Sequence, residues 1–164
     1  MFANCASLNQ TMALPNTILT EGCYQGMFKG CSSLTTPSEL PATILTDNCY
    51  NSMFAECLML LKTPNLPATT LAKKCYYLMF DNCSSLINTT NLPALQLAEE
   101  CYMGMFRNCI GLEKPTYLPA TVLPKNCYKA MFYGCINIKI SETENNFYSL
   151  PYSIPYGNIS NNYN

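Results

Sequence analysis

One segment recurs along this chain of 164 residues at an unchanging interval of 26 residues. Read from residue 40, the unit is Leu-Pro-Ala-Thr-Ile-Leu-Thr-Asp-Asn-Cys-Tyr-Asn-Ser-Met-Phe-Ala-Glu-Cys. The Met-Phe pair begins at positions 1, 27, 53, 79, 105 and 131, and no insertion breaks this register. Self-similarity at a fixed period of about 20–50 residues is typical of repeat architectures, in which each unit buries its apolar face against its neighbours. The sequence therefore predicts a solenoid, and this favours a binding scaffold over an enzyme.

Each unit carries an apolar stripe at helical spacing. In the unit that begins at residue 40, the stripe consists of Leu45, Cys49, Tyr50, Met53, Phe54 and Cys57. This spacing, with polar residues between, predicts a short helix over about residues 47–55, and Thr46 is placed to cap its start. Gly30 and Asn82 occupy the position just before the last cysteine, where such residues close a helix in the left-handed conformation. Glu56 at the same position predicts that its helix continues.

After the helix, Cys-x-x-Leu leads into an extended stretch, which in one unit covers residues 35–41. Stacked units would pair these stretches into a parallel sheet with one strand per unit. The strands must be short, because Pro37, Pro64 and Pro115 cannot donate to the ladder. The predicted fold class is an α/β repeat: a solenoid of 26-residue units, with short parallel strands on one face and short helices on the other.

The two ends of the array differ. The first Met-Phe pair is in phase with the others, so the chain is either a fragment or begins with an incomplete unit. Such an uncovered edge leaves open edge-to-edge self-association through the N-terminal repeat. At the other end the repeat fades after Ile138, which gives an array of about five to six units over residues 1–140. Residues 141–164 are rich in Asn, Tyr and Pro, and their aromatic residues favour a cap on the last unit over a linker.

Charge is scarce in this chain, because only 12% of its residues are Asp, Glu, Lys or Arg. This is about half the usual share of roughly 25%. A net charge of −1 without a basic run offers no surface for neutralising phosphates, which argues against nucleic acid as a partner. No window approaches the roughly 18 apolar residues of a transmembrane helix, so membrane insertion of this segment is not predicted.

Eleven cysteines fall into two columns with the period of the repeat. One column is Cys5, Cys31, Cys57, Cys83, Cys109 and Cys135, and the other is Cys23, Cys49, Cys75, Cys101 and Cys127. Every one sits where a solenoid places small buried residues, so we predict free thiols that pack as small hydrophobes. Disulfides between stacked neighbours are an open alternative. A zinc site is not predicted, because the chain lacks histidine and any Cys-x-x-Cys pair.

The sequence carries no signature of an active site. No histidine is present to activate a Cys or Ser nucleophile, and neither Gly-x-Ser-x-Gly nor a glycine-rich phosphate loop occurs. The thiol of Cys49 would lie near a helix start, where a thiol pKa tends to fall, yet five equivalent copies indicate an architectural role. We predict no catalytic residue, no cofactor and no metal.

The motifs Leu-Pro-Ala-Thr, Cys-Tyr-x-x-Met-Phe and Cys-x-x-Leu, repeated in phase over residues 1–140, resemble the leucine-rich-repeat superfamily and, within it, the BspA-type repeats of bacterial surface proteins. Two features depart from that pattern: the unit of 26 residues is slightly longer, and proline stands in the strand. The resemblance implies a cell-surface or secreted location, as part of a larger exported protein. It also implies a non-catalytic role in adhesion to a host protein, a glycan or another cell.

Residues that repeat identically are most simply core, so ligand specificity is expected where the units differ. These variable positions lie between Cys-x-x-Leu and the next Leu-Pro. The candidate binding residues are Thr36, Ser38, Glu39, Lys62, Asn65, Asn88, Asn91, Glu113, Lys114, Thr116 and Tyr117. Their amide, hydroxyl and aromatic groups suit a glycan or protein ligand. The alternative function is a structural spacer that stacks end to end with another chain, for which these residues form only a solvated face.

Overall fold

The computed structural model describes residues 2–114, 116–138, 141–143 and 146–147. Within these residues the 26-residue units lie side by side, with equivalent residues adjacent. The ring centroids of Tyr50 and Tyr76 are 5.9 Å apart, and those of Phe54 and Phe80 are 5.7 Å apart. Backbone hydrogen bonds between units join residues 25 to 27 positions apart in sequence. The period of the sequence is therefore also the period of the packing.

The helix predicted over residues 47–55 is absent, and the described part of the chain contains no helix at all. Consecutive turns replace it. The N–H of Met53 donates to the carbonyl oxygen of Tyr50 at 3.2 Å, three residues back. The N–H groups on either side of Met53, those of Ser52 and Phe54, donate instead to carbonyl oxygens of the next unit, at 2.8 and 3.0 Å. Because every second N–H leaves its own unit, the i→i−4 ladder of an α-helix cannot form.

Left-handed residues recur every four positions along this turn segment. Asn48, Ser52 and Glu56 have φ angles of 57°, 54° and 64°, whereas helical residues have φ near −60°. Gly30 and Asn82, at 74° and 59°, confirm the predicted left-handed position before the cysteine. The position closes a turn, however, and Glu56 adopts it as well. The prediction that the chain continues as a helix through Glu56 is therefore wrong.

The repeated columns form the core of the described array. In the unit at 40–57, the side chains of Cys49, Tyr50, Met53, Phe54 and Cys57 are all at most 1% exposed. The tyrosine and phenylalanine columns run through the array as two stacked ladders of rings. Stacked rings combine a large apolar burial with a favourable ring–ring geometry. Identical residues at these positions are thus explained by packing between units.

One cysteine column also supplies hydrogen bonds between units. Cys57 Sγ lies 3.1 Å from the carbonyl oxygen of Phe28, and Cys83 Sγ lies 3.1 Å from that of Phe54. The Phe28 carbonyl also accepts the N–H of Cys31 in its own unit, at 3.1 Å. All eleven cysteines are free thiols, with Cys5 and Cys23 exposed, Cys135 half-buried and the others buried. The column therefore acts both as small apolar filling and as a row of S–H donors.

The parallel sheet predicted from residues 35–41 is reduced to isolated bridges. Thr36 pairs with Gln10, and Lys62 with Asn88, each in parallel orientation. Around the prolines, backbone donors turn to side chains of the neighbouring unit. The N–H of Thr90, for example, donates to Thr63 Oγ1 at 2.9 Å. Proline removes donors from this stretch, so hydroxyl groups take over part of the ladder and no continuous strand forms.

Two short strands lie in the segment that was predicted to cap the array. Strand β1 (Ser141–Thr143) pairs with strand β2 (Asn146–Phe147) in antiparallel orientation. The remaining residues of 141–164, apart from these two strands, lie outside the described part of the chain. That this segment covers the last unit stays a prediction.

Candidate binding face

The predicted binding residues form rows because equivalent positions of successive units are adjacent. The first row comprises Thr36, Lys62, Asn88 and Lys114, and the second comprises Glu39, Asn65, Asn91 and Tyr117. Ser38 and Thr116 belong to a third set of equivalent positions, which lies between the two rows, and Glu113 precedes Lys114 in sequence. All eight members of the two rows are exposed, as is Glu113. We call the surface formed by the two rows the binding face.

The column between the two rows lies beneath the surface. Thr116 is buried, and its Oγ1 donates to the carbonyl oxygen of Thr90 at 2.9 Å. Its hydroxyl donor is therefore used between units, and the role of Thr116 as a binding residue stays a prediction. Ser38 is half-buried, and its hydroxyl oxygen is buried without a hydrogen-bond partner in the described structure. Both residues support the face from below.

A cleft of about 190 Å³ opens in the binding face between two neighbouring units. Its lining residues are Ile87, Asn88, Thr89, Asn91, Lys114, Thr116 and Tyr117. Five of these belong to the predicted set, with Thr116 on the floor and the other four exposed. The remaining six predicted residues, from Thr36 to Asn65 together with Glu113, do not line this cleft. The structure thus brings five of the predicted binding residues together in one cleft.

The backbone beside the cleft is already hydrogen-bonded. The N–H groups of Ile87 and Asn88 both point to the carbonyl oxygen of Leu61, at 3.2 and 3.3 Å. The carbonyl oxygen of Asn88 in turn accepts the N–H of Thr63 at 3.1 Å. The cleft consequently presents side chains rather than free backbone groups along this wall.

Two lining residues were missing from the predicted set. Ile87 is 51% exposed, and its column holds Thr35, Leu61 and Glu113, so the variation within the column was a usable signal. Thr89 shares a column with Thr63, which is buried. Nothing in the sequence distinguishes Thr89 from its buried equivalent.

The cysteines offer no reactive site near this face. Burial raises the pKa of the Cys49 thiol to about 11, so the lowering expected from a helix start is not found. Burial likewise raises the pKa of Cys57 to about 12. Over the described residues, no group of three or more His, Cys, Asp or Glu side chains is arranged to hold a metal ion. The same residues contain no helix long and apolar enough to cross a bilayer.

The stacked units and the cleft define a repeat protein with a side-chain-lined groove across adjacent repeats. No protein-family profile, curated protein or solved structure matches the chain. Membership in the leucine-rich-repeat superfamily therefore stays a prediction. The absence of helices from the described residues removes the helical face that this prediction included.

Proposed function

We propose that this chain is a non-catalytic binding module, exposed at a cell surface or secreted, that recognises a protein or glycan ligand through the binding face. The observation that carries the proposal is the cleft, in which Asn88, Asn91, Lys114 and Tyr117 converge. The columns of these residues vary along the array, with Thr36, Lys62, Asn88 and Lys114 in one and Glu39, Asn65, Asn91 and Tyr117 in the other, whereas the core columns stay constant. A concave site that combines apolar and aromatic side chains, here Ile87 and Tyr117, with a few polar groups has the features of a ligand-binding pocket.

The chemistry of the cysteines supports a non-catalytic role. A nucleophilic cysteine acts as a thiolate in an accessible, electropositive place. The buried thiols have the opposite environment, since desolvation raises the pKa of Cys101, for example, to about 12. Their repetition in register fits the packing role described above.

Binding can be tested with the full chain against arrays of glycans and of extracellular-matrix proteins. We expect at least one saturable interaction that is lost when Lys62 and Tyr117 are both replaced by alanine. A loss of more than about 1 kcal/mol from such anchor residues is usual at a real interface. The matched control replaces Ile18, which is 90% exposed and lies in a different column, by alanine. No saturable binding, or equal losses in both variants, would refute the proposal.

The second candidate function is a spacer that stacks end to end. In the first unit Cys23 is exposed and Tyr24 half-buried, whereas their equivalents Cys49 and Tyr50 are buried. A further unit, from this protein or from another chain, would cover these groups. This function predicts oligomers that grow with concentration in light scattering and that survive the double substitution of Lys62 and Tyr117.

A further inference from the structure

We propose that the cleft at Asn88, Asn91 and Tyr117 binds one pyranose ring of a glycan. The inference rests on the proposed binding function and names the class of its ligand. Three properties of the cleft lead to it: its size, the chemistry of its lining and the state of the backbone beside it.

The size of the cleft suits a single ring. Its volume is about 190 Å³, whereas pockets for drug-sized molecules measure about 300–1,000 Å³. One sugar ring fits a cleft of this size, with the rest of a larger ligand outside. A terminal or branching sugar on a larger glycan has this form.

The lining combines one aromatic ring with two primary amides. Tyr117 is 41% exposed, so part of its ring is open to a ligand, and Ile87 adds an apolar wall. A pyranose has an apolar C–H face that can lie on such a ring and hydroxyl groups around its rim. Asn88 and Asn91 each offer amide donors and a carbonyl acceptor, which match hydroxyl groups that donate and accept.

The backbone beside the cleft disfavours an extended peptide. Peptides that add to a sheet edge gain their affinity from unpaired main-chain groups. Here the N–H groups of Ile87 and Asn88 and the carbonyl of Asn88 are all engaged with the neighbouring unit. Recognition must then come from side chains, as in sugar binding.

The test is an NMR titration of the full chain with methyl pyranosides, both neutral and carboxylated. A methyl hexoside has few heavy atoms, so we expect saturable binding by at least one of them with a Kd of about 1 mM. Tyr117→Ala should weaken this binding by about tenfold or more, and Asn91→Ala by a similar factor. Lys114→Gln should weaken the carboxylated sugar more than the neutral one, because it removes a positive charge from the lining of the cleft.

Two matched controls separate the cleft from the rest of the surface. Tyr133→Ala removes another exposed tyrosine, and Asn16→Ala removes an exposed asparagine that lies outside the binding face. Both should leave the Kd unchanged. Absence of binding by every glycoside, or binding insensitive to Tyr117→Ala in a folded variant, would overturn the inference. If glycosides fail while a matrix protein binds in a Tyr117-dependent way, the sugar is wrong and the binding function stands. Failure of both probes refutes both proposals.

Discussion

At the scale of single residues, the cysteines are the most informative side chains. Cys83 Sγ contacts the carbonyl oxygen of Phe54 at 3.1 Å and is fully buried. Serine would bring a more strongly hydrated hydroxyl into the core, and alanine would lack the donor. Cysteine satisfies both requirements, because it is a small hydrophobe with a weak S–H donor. This accounts for a column of one residue type better than packing alone.

The protonation of these thiols makes the protein sensitive to alkaline pH. In the unfolded chain a thiol has a pKa of about 8.5, whereas burial raises the pKa of Cys57 and Cys101 to about 12 in the folded state. The folded state therefore holds more protons between these values. The stabilisation is complete below about pH 8.5 and falls above it, by about 1.4 kcal/mol per pH unit for each such cysteine.

We expect the urea midpoint, followed by circular dichroism in the presence of a reductant, to be constant from about pH 7 to 8 and to fall steeply above about pH 9. Because several buried thiols lose this contribution together, the fall should be steeper than a single cysteine would give. A midpoint that stays level up to about pH 10.5 would contradict the protonated, buried state of the thiols.

At the scale of elements, the turn segment shows where sequence reasoning succeeded and where it failed. The apolar stripe identified the buried residues correctly, because burial depends on spacing. It did not identify the backbone conformation, because an apolar stripe at every fourth residue fits both a helix and a series of consecutive turns. In a helix of 3.6 residues per turn, a strict spacing of four drifts by about 40° at each step. Three glycines at this spacing, Gly22, Gly26 and Gly30, were a further signal against a helix.

That signal was concealed in the other units. There the same left-handed positions hold residues that favour helices, such as Leu78 with a φ of 50° and Ala130 with a φ of 54°. The surrounding hydrogen bonds impose the conformation. The N–H of Leu78, for example, donates to the carbonyl oxygen of Met103 at 2.9 Å. Such bonds between units follow from the assembled array and could not be derived from one unit's propensities.

The effect of Gly26→Ala distinguishes turns from a helix by its sign. Gly26 has a φ of 60°, and no atom lies within 4 Å of where a Cβ would be placed. The left-handed conformation therefore sets the cost, and we expect a destabilisation of about 1 kcal/mol or more in urea unfolding. In a helix interior the same substitution would stabilise by about 1 kcal/mol.

The reverse substitution at the equivalent position is the control for this prediction. Ala130→Gly should stabilise the turn structure, or at least leave it unchanged, because glycine relieves a φ of 54°. If Ala130→Gly instead lowered the free energy of unfolding by about 1 kcal/mol and Gly26→Ala raised it, the result would show that this segment is helical.

The part of the candidate site that follows from the repeat period alone could be predicted from the sequence. In-register stacking puts Asn91 and Tyr117 in one row, and this required only the interval of 26 residues. The burial of Thr116 was not predictable, because it depends on hydroxyl groups replacing backbone donors beside prolines. Its bond to Thr90 at 2.9 Å exists only between two units.

At the scale of the whole molecule, neighbouring units are joined by every kind of interaction found in the described structure. Arg107 forms two bonds of 2.7 Å with Asp81, and Lys73 lies 2.9 Å from Glu99, each pair 26 positions apart. Rings, S–H donors and backbone bonds join the same neighbours. Stability should then be a sum of unit and nearest-neighbour contributions.

Removing one full period tests this additivity and the register together. Deletion of residues 43–68 joins Ala42 to Thr69, recreates the natural Leu-Pro-Ala-Thr junction and keeps every column aligned. We expect a cooperative urea transition with a smaller m-value, because less surface is buried. Deletion of residues 43–66 is the matched control, since it moves Cys75 into the half-buried column of Asn51. This shift places Lys73, Lys74 and Asp81 in the core columns of Cys49, Tyr50 and Cys57. The shorter deletion should therefore fail to fold although it removes less of the chain. Equal stability of the two variants would mean that the columns do not determine the packing.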